Sequence, residues 1–170
     1  MLNENDIAAC LEIYNWYIAN STATFETETL TLEEFSERVH RVQEKYPWIV
    51  AVENGRVTGY AYLSAFNIRK AYDWTCDLAI YVDHRCLHDG IGSQLMEVIL
   101  ECAEQAGFVS MMSLITEGNT ASERLHEKFG FVQKASFHEI GYKNSVWLGV
   151  SFYEKKLNEP AASPKDPFSV

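Results

Sequence analysis

The chain has 170 residues, of which 47% are hydrophobic and 13% aromatic, and this predicts one globular domain with its own core. Its formal net charge of −10 argues against nucleic acid or an anionic membrane as the main partner, because both attract basic patches. No apolar run approaches the roughly 20 residues of a membrane span, and no signal peptide is predicted. The four cysteines lack metal-ligand spacing and are too few for a disulfide scaffold, so we expect free thiols, no metal site and a cytoplasmic protein.

The first part of the chain predicts two helices. Apolar residues recur on one helical face between 6 and 19. After a loop, Thr31 and Glu34 form a capping box that opens a second helix, which we expect to end near Tyr46.

Three strands are predicted next, at 48–52, 57–63 and 78–82. Asn54-Gly55 between the first two is typical of a type I′ hairpin turn. The third strand is almost continuously apolar, which predicts burial on both faces. It is followed by a polar loop, the turn Gly90-Ile91-Gly92-Ser93, and a helix with an apolar stripe.

This succession of strand, glycine turn and helix predicts an anion site. Glycines reach backbone angles that let successive N–H groups converge on a phosphate, and the first N–H groups of a helix have no partner within it. The Gly-x-Gly pair is weak on its own, because it lacks the third glycine of a dinucleotide fingerprint and the Gly-Lys-Ser/Thr of a nucleotide loop. A simple turn between strand and helix explains it equally well.

The rest of the chain completes an α+β domain at 1–157, with a central and mainly antiparallel sheet. A strand is predicted at 109–115 and a short helix at 120–129, ended by Gly130. A closing hairpin follows at 132–141 and 145–153. Residues 158–170 contain three prolines and predict a mobile tail.

The glycine turn and the downstream run 119–131 together resemble motifs A and B of the GNAT N-acetyltransferases. Within that family the chain is similar to the phosphinothricin and methionine sulfone acetyltransferase branch. The shared words are Ile13-Tyr14-Asn15, Ser21-Thr22-Ala23-Thr24-Phe25-Glu26, Tyr46-Pro47-Trp48, Ala71-Tyr72-Asp73-Trp74-Thr75, Leu125-His126-Glu127 and Gly141-Tyr142-Lys143. The resemblance runs from about 5 to 157 and implies a mixed, mainly antiparallel sheet flanked by helices. Only Met1-Leu2 precedes the capping cluster at 3–6, so the strand that opens this fold is either reduced or truncated.

The resemblance implies transfer of acetyl from acetyl-CoA to the α-amino group of a small amino-acid analogue, by direct attack. Phosphinothricin, methionine sulfone and methionine sulfoximine are the implied substrates. The implied cofactor contacts are Ile80, Tyr81, Val82, His88, Asp89, Gly90, Ile91, Gly92, Ser93, Asn119 and Ser122. To offer free N–H and C=O groups to pantetheine, the strand at 80–82 must be splayed from its neighbour. Asn119 has a second interpretation, as the N-cap of the helix that follows it.

The loop departs from motif A, which reads Gln/Arg-x-x-Gly-x-Gly in the family. Here the residues before the first glycine are Leu87-His88-Asp89, so a leucine replaces the polar residue and a carboxylate lies beside the expected pyrophosphate. Two like charges about 4 Å apart repel by roughly 1 kcal/mol in water and about 4 at an effective dielectric of 20. If Asp89 points at the phosphates we expect weaker binding. If it points to solvent, or pairs with His88 or Arg85, the backbone cradle survives.

Two residues are implied to act on protons. Asp77 occupies the position of the branch's catalytic glutamate, and burial would raise its reference pKa of about 3.9 toward neutrality. Its alternative is a strand carboxylate held by an arginine or a backbone N–H. His126 occupies the position of the acid that protonates the departing thiolate, and an imidazole can donate and accept protons near pH 7. Its alternative is helix packing.

The implied substrate residues are Phe25, Asn67, Ile68, Arg69 and Tyr72. Arg69 is suited to clasp a carboxylate, or else is a surface charge or a partner of Asp73. The family's Trp-x-Asp-Val reads Trp147-Leu148-Gly149-Val150 here, which puts substrate identity or local packing in doubt.

Two other functions stay open at this point. One is the same reaction on a cationic amine, which the acidic composition would suit. The other is a catalytically impaired member that binds CoA. The resemblance also implies a homodimer, although the sequence fixes no interface.

Overall fold

A computed structural model describes residues 1–87 and 89–168. In this part of the chain the helices are α1 (Ile7–Asn20), α2 (Leu32–Gln43), α3 (Ile91–Ala106) and α4 (Thr120–Lys128). The strands are β1 (Trp48–Glu53), β2 (Arg56–Ala65), β3 (Thr75–Val82), β4 (Ser110–Thr116), β5 (Val132–Lys143) and β6 (Val146–Lys156). They form one sheet in the order β1-β2-β3-β4-β6-β5, in which only β3 and β4 are parallel. The predicted α+β fold with a mixed, mainly antiparallel sheet is confirmed.

Local signals set most element boundaries. The Thr31 hydroxyl accepts from the Glu34 N–H at 3.3 Å, and the Glu34 carboxylate accepts from the Thr31 N–H at 2.8 Å, so the capping box is confirmed. The helix ends at Gln43 rather than near Tyr46. Pro47 explains the early end, because a residue before proline avoids helical backbone angles.

The turn between β1 and β2 has the predicted conformation. Asn54 and Gly55 have φ of 51° and 78°, as a type I′ turn requires. Before α1, the Leu2 N–H donates to the Trp48 carbonyl at 2.8 Å and the Leu2 side chain is buried. At the position of the family's opening strand, the described residues thus have this backbone hydrogen bond to β1 but no strand.

Each face of the sheet is covered by its own core. One core lies beneath α3, and the apolar stripe predicted for that helix is buried in it: Leu95, Met96, Ile99 and Ala103. The other lies beneath α1 and α2 and is rich in aromatic rings, including Trp48, Tyr60 and Phe35. The sheet is therefore enclosed on both sides, and an opening toward its centre must come from a gap between strands.

That gap lies between β3 and β4. They pair only from Thr75 to Asp77 and from Ser110 to Met112, although β3 continues to Val82 and β4 to Thr116. The predicted splay is thus confirmed. The prediction that this strand is buried on both faces is only partly right, because residues 80–82 are half-exposed at the edge that β4 leaves open. We call the point where the strands part, at Asp77 and Met112, the vertex.

The C-terminal segment contacts the domain where it is described. The Trp74 indole N–H donates to the Lys165 carbonyl at 2.8 Å, and the ring of Phe168 lies 5.2 Å from that of Tyr46. The mobility of 158–170 stays a prediction. No helix among the described residues is long and apolar enough to cross a membrane.

Candidate active site

A cleft of about 530 Å³ occupies the gap between β3 and β4. Residues from β3, the glycine turn and α4 line it, among them most of the predicted cofactor contacts. Those in the wall are Ile80, Tyr81, Val82, Gly90, Ile91, Gly92, Ser93, Asn119 and Ser122. His126, predicted as an acid, also lines the cleft. Residues separated by more than 40 positions in sequence therefore share one cavity.

The glycine turn forms the end of the cleft where α3 begins. Gly90 has φ of 81°, a left-handed conformation that favours glycine, and it caps α3. A Cβ on Gly92 would lie 3.3 Å from the Leu125 side chain, so glycine allows α4 to pack close to α3. The Lys128 ammonium donates to the Ser93 hydroxyl at 3.0 Å and places a positive charge at this end.

Of the two predicted cofactor contacts before Gly90, the structure describes only Asp89. Asp89 is exposed and is not part of the cleft wall. His88 lies outside the described residues. Arg85, considered as a partner of Asp89, instead pairs with Asp83 at 2.8 Å. The weakening of acetyl-CoA binding by Asp89 stays a prediction.

Asp83 anchors the loop that carries the turn. Its buried carboxylate accepts from the Arg85 side chain and from the Arg85 N–H at 3.0 Å, and it pairs with Arg56 of β2. These donors hold the pKa of Asp83 well below its usual range. The charge is therefore retained at neutral pH, and it ties the segment between β3 and α3 to the sheet.

Asp77 lies at the vertex and is half-buried. Its Oδ1 atom is buried and has no hydrogen-bond partner among the described residues. Burial raises the pKa of Asp77 to about 7. The alternative of a carboxylate held by an arginine or a backbone N–H therefore finds no support at this oxygen, and the raised pKa suits a base at neutral pH.

His126 lies in the cleft wall with both ring nitrogens bonded. Its Nδ1 is 2.8 Å from the Ser122 carbonyl, which only accepts, so Nδ1 carries a proton. Its Nε2 lies 2.9 Å from the hydroxyl of Ser113. The ring is 1% exposed, and burial lowers the pKa of His126, although the Ser122 carbonyl partly opposes that shift. The imidazole is therefore neutral at pH 7.

Asp77 and the Ser113–His126 pair lie on opposite faces of the sheet. Cys76 and Leu78 both point into the core beneath α3, so Asp77 between them points toward α1 and α2. By the same alternation, Ser113 lies on the α3 and α4 side. A thioester in the cleft and an amine on the α1 and α2 side would meet at the vertex.

Asn119 is the N-cap of α4, as its second interpretation predicted. Its side chain accepts from the Ser122 N–H at 3.3 Å, so it caps α4. Asn119 and Ser122 also line the cleft, and the cap therefore positions two polar groups in its wall.

The predicted substrate residues lie outside the cleft wall. Phe25 is 37% exposed and its ring packs on Gly141, where a Cβ would be 2.2 Å away. Ile68 is 99% exposed, Arg69 is exposed and Tyr72 is 42% exposed. The Asn67 side chain accepts from the Arg69 N–H at 3.1 Å.

This segment between β2 and β3 nevertheless lies close to the vertex. Ser64, near the end of β2, is the strand partner of Asp77. A substrate bound against Asp77 would therefore be near the loop that carries Arg69.

A second charged pair lies on the α1 and α2 side. Arg38 donates to Glu26 Oε1 at 2.7 Å, while Glu26 Oε2 is buried without a hydrogen-bond partner among the described residues. Burial raises the pKa of Tyr62, the charges of Glu26 and Asp77 raise it further, and Arg38 opposes them. The Arg38–Glu26 pair and Asp77 therefore both act electrostatically on Tyr62.

The comparisons with known proteins agree with this geometry. Residues 1–149 match the family model described as an acetyltransferase (GNAT) domain. The chain belongs to the GNAT acetyltransferase family. It is 39% identical over 156 residues to a phosphinothricin N-acetyltransferase of Streptomyces viridochromogenes, covering 92% of this chain and 85% of the relative.

Two further relatives lie in the same branch. An L-methionine sulfoximine/L-methionine sulfone acetyltransferase of Salmonella typhimurium is 32% identical, with 92% of each chain covered. A phosphinothricin acetyltransferase from Sinorhizobium meliloti, solved in complex with acetyl-CoA, superposes with a TM-score of 0.93 at 30% identity. That match covers 97% of this chain and 91% of the other.

The carboxylate missing from the GNAT motif at Gly149 is replaced in space. A Cβ on Gly149 would lie 2.0 Å from Glu117 Oε2, so the Glu117 carboxylate occupies the volume that a side chain at 149 would fill. The Glu117 N–H also donates to the Gly149 carbonyl at 3.0 Å, and the carboxylate pairs with His138 at 2.8 Å. The packing around Gly149 is therefore explained by the Glu117 side chain.

Sequence reasoning missed several residues of the site. Ser113 gave no signal, because one serine in an apolar strand is common. Lys128 and Arg38 lie on the exposed-looking faces of amphipathic helices. Tyr17 looked like an ordinary core residue, yet its hydroxyl donates to the Val82 carbonyl at 2.7 Å at the cleft wall.

Proposed function

We propose that this GNAT enzyme transfers an acetyl group from acetyl-CoA to the α-amino group of a small amino-acid analogue of the phosphinothricin or methionine sulfone type. The single observation that carries the proposal is Asp77 at the vertex, whose Oδ1 is buried without a hydrogen-bond partner among the described residues and whose pKa is about 7. The named activities of relatives at 39% and 32% identity support the substrate class.

The cleft suits acetyl-CoA, which is the acetyl donor. Beyond the vertex β3 and β4 no longer pair with each other. Apart from the Val82 carbonyl, which accepts from Tyr17, the backbone groups on these facing edges suit the amide-rich pantetheine. The turn at Gly90 and the N-terminus of α3 offer N–H groups to the pyrophosphate, and Lys128 adds a positive charge.

Asp77 is the proposed base. An amino acid reaches the enzyme as an ammonium, which cannot attack a carbonyl until a proton is removed. An ionised Asp77 accepts that proton, and a pKa near the working pH makes the transfer efficient. The neutral amine then attacks the thioester directly. The sequence-based role of His126 as acid toward the thiolate stays part of the proposal, and it requires Nε2 to take up a proton first, because the resting imidazole is neutral.

Arg38 and Glu26 support a zwitterionic substrate. Arg38 offers a guanidinium for a carboxylate, and the unpartnered Glu26 Oε2 can accept from an ammonium. Arg69 is the second candidate for the carboxylate. A purely cationic amine would contact only the acidic groups. Measuring both kinds of substrate therefore distinguishes an amino-acid analogue from a cationic amine.

The test is CoA thiol release with methionine sulfone, phosphinothricin and a polyamine, at several pH values. We expect the two amino-acid analogues to be acetylated, with a rate that rises through about pH 7 as Asp77 ionises. Asp77→Asn should lower kcat by about 10²–10⁴ and remove this rise, whereas Asp77→Glu should keep it.

Asp73→Asn, a nearby carboxylate outside the vertex, is the matched control and should retain the wild-type rate. Turnover of the polyamine alone would contradict the substrate class. CoA binding without turnover of any amine would favour the impaired member.

We also propose a homodimer formed through the β5–β6 hairpin, in the cytoplasm. The hairpin lies at the edge of the sheet and exposes large apolar side chains: Val132, Phe137, Ile140, Tyr142, Val146 and Trp147. An exposed apolar patch of this kind is typical of an interface. All four cysteines are free thiols, which is typical of a reducing compartment.

A further inference from the structure

Ser113 and His126 have the geometry of a nucleophile and its base. The Ser113 hydroxyl lies 2.9 Å from His126 Nε2, and His126 Nδ1 lies 2.8 Å from the Ser122 carbonyl. Activated serines have these three parts: a hydroxyl, a base within about 2.6–3.2 Å, and a group that orients the base. Here the orienting group is a backbone carbonyl within α4.

The hydrogen-bond roles in this pair follow from the chemistry of the atoms. The Ser122 carbonyl has no proton, so Nδ1 must donate to it. In the neutral ring Nε2 is then an acceptor, and the Ser113 hydroxyl donates to it. Ser113 lines the cleft and is 3% exposed, so a reactant that reaches the lone pairs of its oxygen must come through the cleft. Toward the cleft this oxygen is a nucleophile rather than an acid.

Ser113 lies beside the vertex, where the gap between β3 and β4 begins. It follows Met112, the last residue of β4 that pairs with β3, so it is the first residue of β4 beyond the vertex. The facing stretch of β3 has also lost its partner there, and its free N–H groups are suited to stabilise an oxyanion. Asp77, the proposed base for the amine, lies on the other face of the sheet.

We propose that Ser113 and His126 give the protein a second acyl-transfer activity, acetyl-CoA hydrolysis through an acetyl-Ser113 ester, when no amine is bound. The inference rests on the proposed function to the extent that acetyl-CoA enters the same cleft. It is independent of the amine and of Asp77.

The hydrolysis takes place in two half-reactions and needs only acetyl-CoA and water. The Ser113 oxygen bonds to the thioester carbon while its proton passes to His126 Nε2. The carbon–sulfur bond then breaks, and the departing thiolate takes the proton from Nε2. In the second half, water attacks the ester carbon and gives one proton to Nε2, which passes it to the Ser113 oxygen as acetic acid leaves and then ionises to acetate in water.

The experiment incubates the full chain with acetyl-CoA and no amine. CoA thiol release is followed in time, and acid-quenched samples are measured by intact-protein and peptide mass spectrometry. Wild type, Ser113→Ala, His126→Asn and Ser151→Ala are compared. Ser151 is a matched control, because it is an equally buried serine that hydrogen-bonds Ser136 within the hairpin.

We expect one acetyl group on the peptide that contains Ser113, or amine-free CoA release that falls at least about 100-fold in Ser113→Ala and His126→Asn. Ser151→Ala should behave as wild type. The inference is overturned if Ser113 carries no acetyl group and Ser113→Ala releases CoA at the wild-type rate. Thermal unfolding verifies that each variant is folded, and Ser113→Ala alone decides the outcome if His126→Asn does not fold.

Acetyl transfer to an amine and hydrolysis of acetyl-CoA are measured in separate reactions, with and without an amine. The proposed function fails if adding an amino-acid analogue to wild type does not raise CoA release above the amine-free rate. The hydrolytic activity fails on the amine-free measurements alone. Each result is read from a different reaction mixture of the same protein.

Discussion

At the scale of single residues, burial moves Asp77 and His126 toward their neutral forms by shifts of opposite sign. The pKa of Asp77 rises to about 7, and that of His126 falls. Desolvation disfavours the charged form in both cases. At pH 7 a large fraction of Asp77 is therefore ionised and can accept a proton, while His126 is neutral and its Nε2 is a hydrogen-bond acceptor.

The same shift predicts how Asp77 affects stability. Its folded pKa of about 7 lies above the ordinary value of 3.8, so ionisation of the buried carboxyl opposes folding. This cost is absent below about pH 4, grows as pH rises, and is complete above about pH 7. We expect Asp77→Asn to be more stable than wild type, with an advantage that grows between pH 4 and 7 and then levels off.

Thermal unfolding across that pH range measures the difference, with Asp73→Asn as the control. An advantage for Asp77→Asn that is the same at pH 4 and pH 8 would show that the carboxyl is not desolvated. Because the variant is also expected to lose acetyl transfer, higher stability with lower activity would identify Asp77 as a strained functional group rather than a packing residue.

At the scale of elements, the position of α3 depends on Gly59 of β2. A Cβ at this position would lie 2.9 Å from the Tyr81 carbonyl, 3.1 Å from Leu95 and 3.2 Å from Ile91. The first contact is with backbone, which cannot rotate away. Glycine thus allows α3 to lie directly against the sheet, with its N-terminus at the cleft.

We therefore expect Gly59→Ala to lower the free energy of unfolding by about 1–3 kcal/mol, the usual cost of overpacking. It should also weaken acetyl-CoA binding, because α3 must shift at the end that carries the glycine turn. Urea denaturation and calorimetry measure the two effects. Ser64→Ala on the same strand is the control and should change stability by less than about 0.5 kcal/mol. Unchanged stability and affinity in Gly59→Ala would contradict this account of the packing.

At the scale of the whole molecule, net charge and local charge differ in sign. The chain carries a formal charge of −10, yet the turn end of the cleft has a helix N-terminus and Lys128. At ordinary salt, the electrostatic effect of an exposed charge is largely screened beyond about 10 Å. The groups close to the cleft therefore determine whether an anion binds. An acidic protein can therefore bind an anionic donor.

The exposed hairpin predicts the assembly state. Tyr142 and Trp147 are strand partners whose rings lie 5.3 Å apart, and they are 59% and 60% exposed. We expect light scattering to give twice the chain mass for wild type and the single-chain mass for Trp147→Lys. Val98→Lys, an exposed apolar residue on α3, is the control and should remain dimeric. A monomeric wild type at all concentrations would refute the interface.

Much of the fold follows from short-range patterns that the sequence displays directly. The capping box at Thr31, the turn at Asn54-Gly55 and the stripe of α3 each involve neighbours within a few residues. The splay of β3 from β4 was expected from the resemblance. The end of α2 at Gln43 was not, because no stop signal precedes Pro47 in the sequence.

The sequence by itself determined the family and the glycine turn, and it made Asp77 and His126 the candidates for proton transfer, because these depend on residue type and spacing. Only the tertiary structure decided that Asp77 has an unpartnered oxygen, that Ser113 holds Nε2 of His126, and that Glu117 fills the space at Gly149. The physical reason is that desolvation and hydrogen bonding depend on which distant segments pack together. No local pattern encodes those distances.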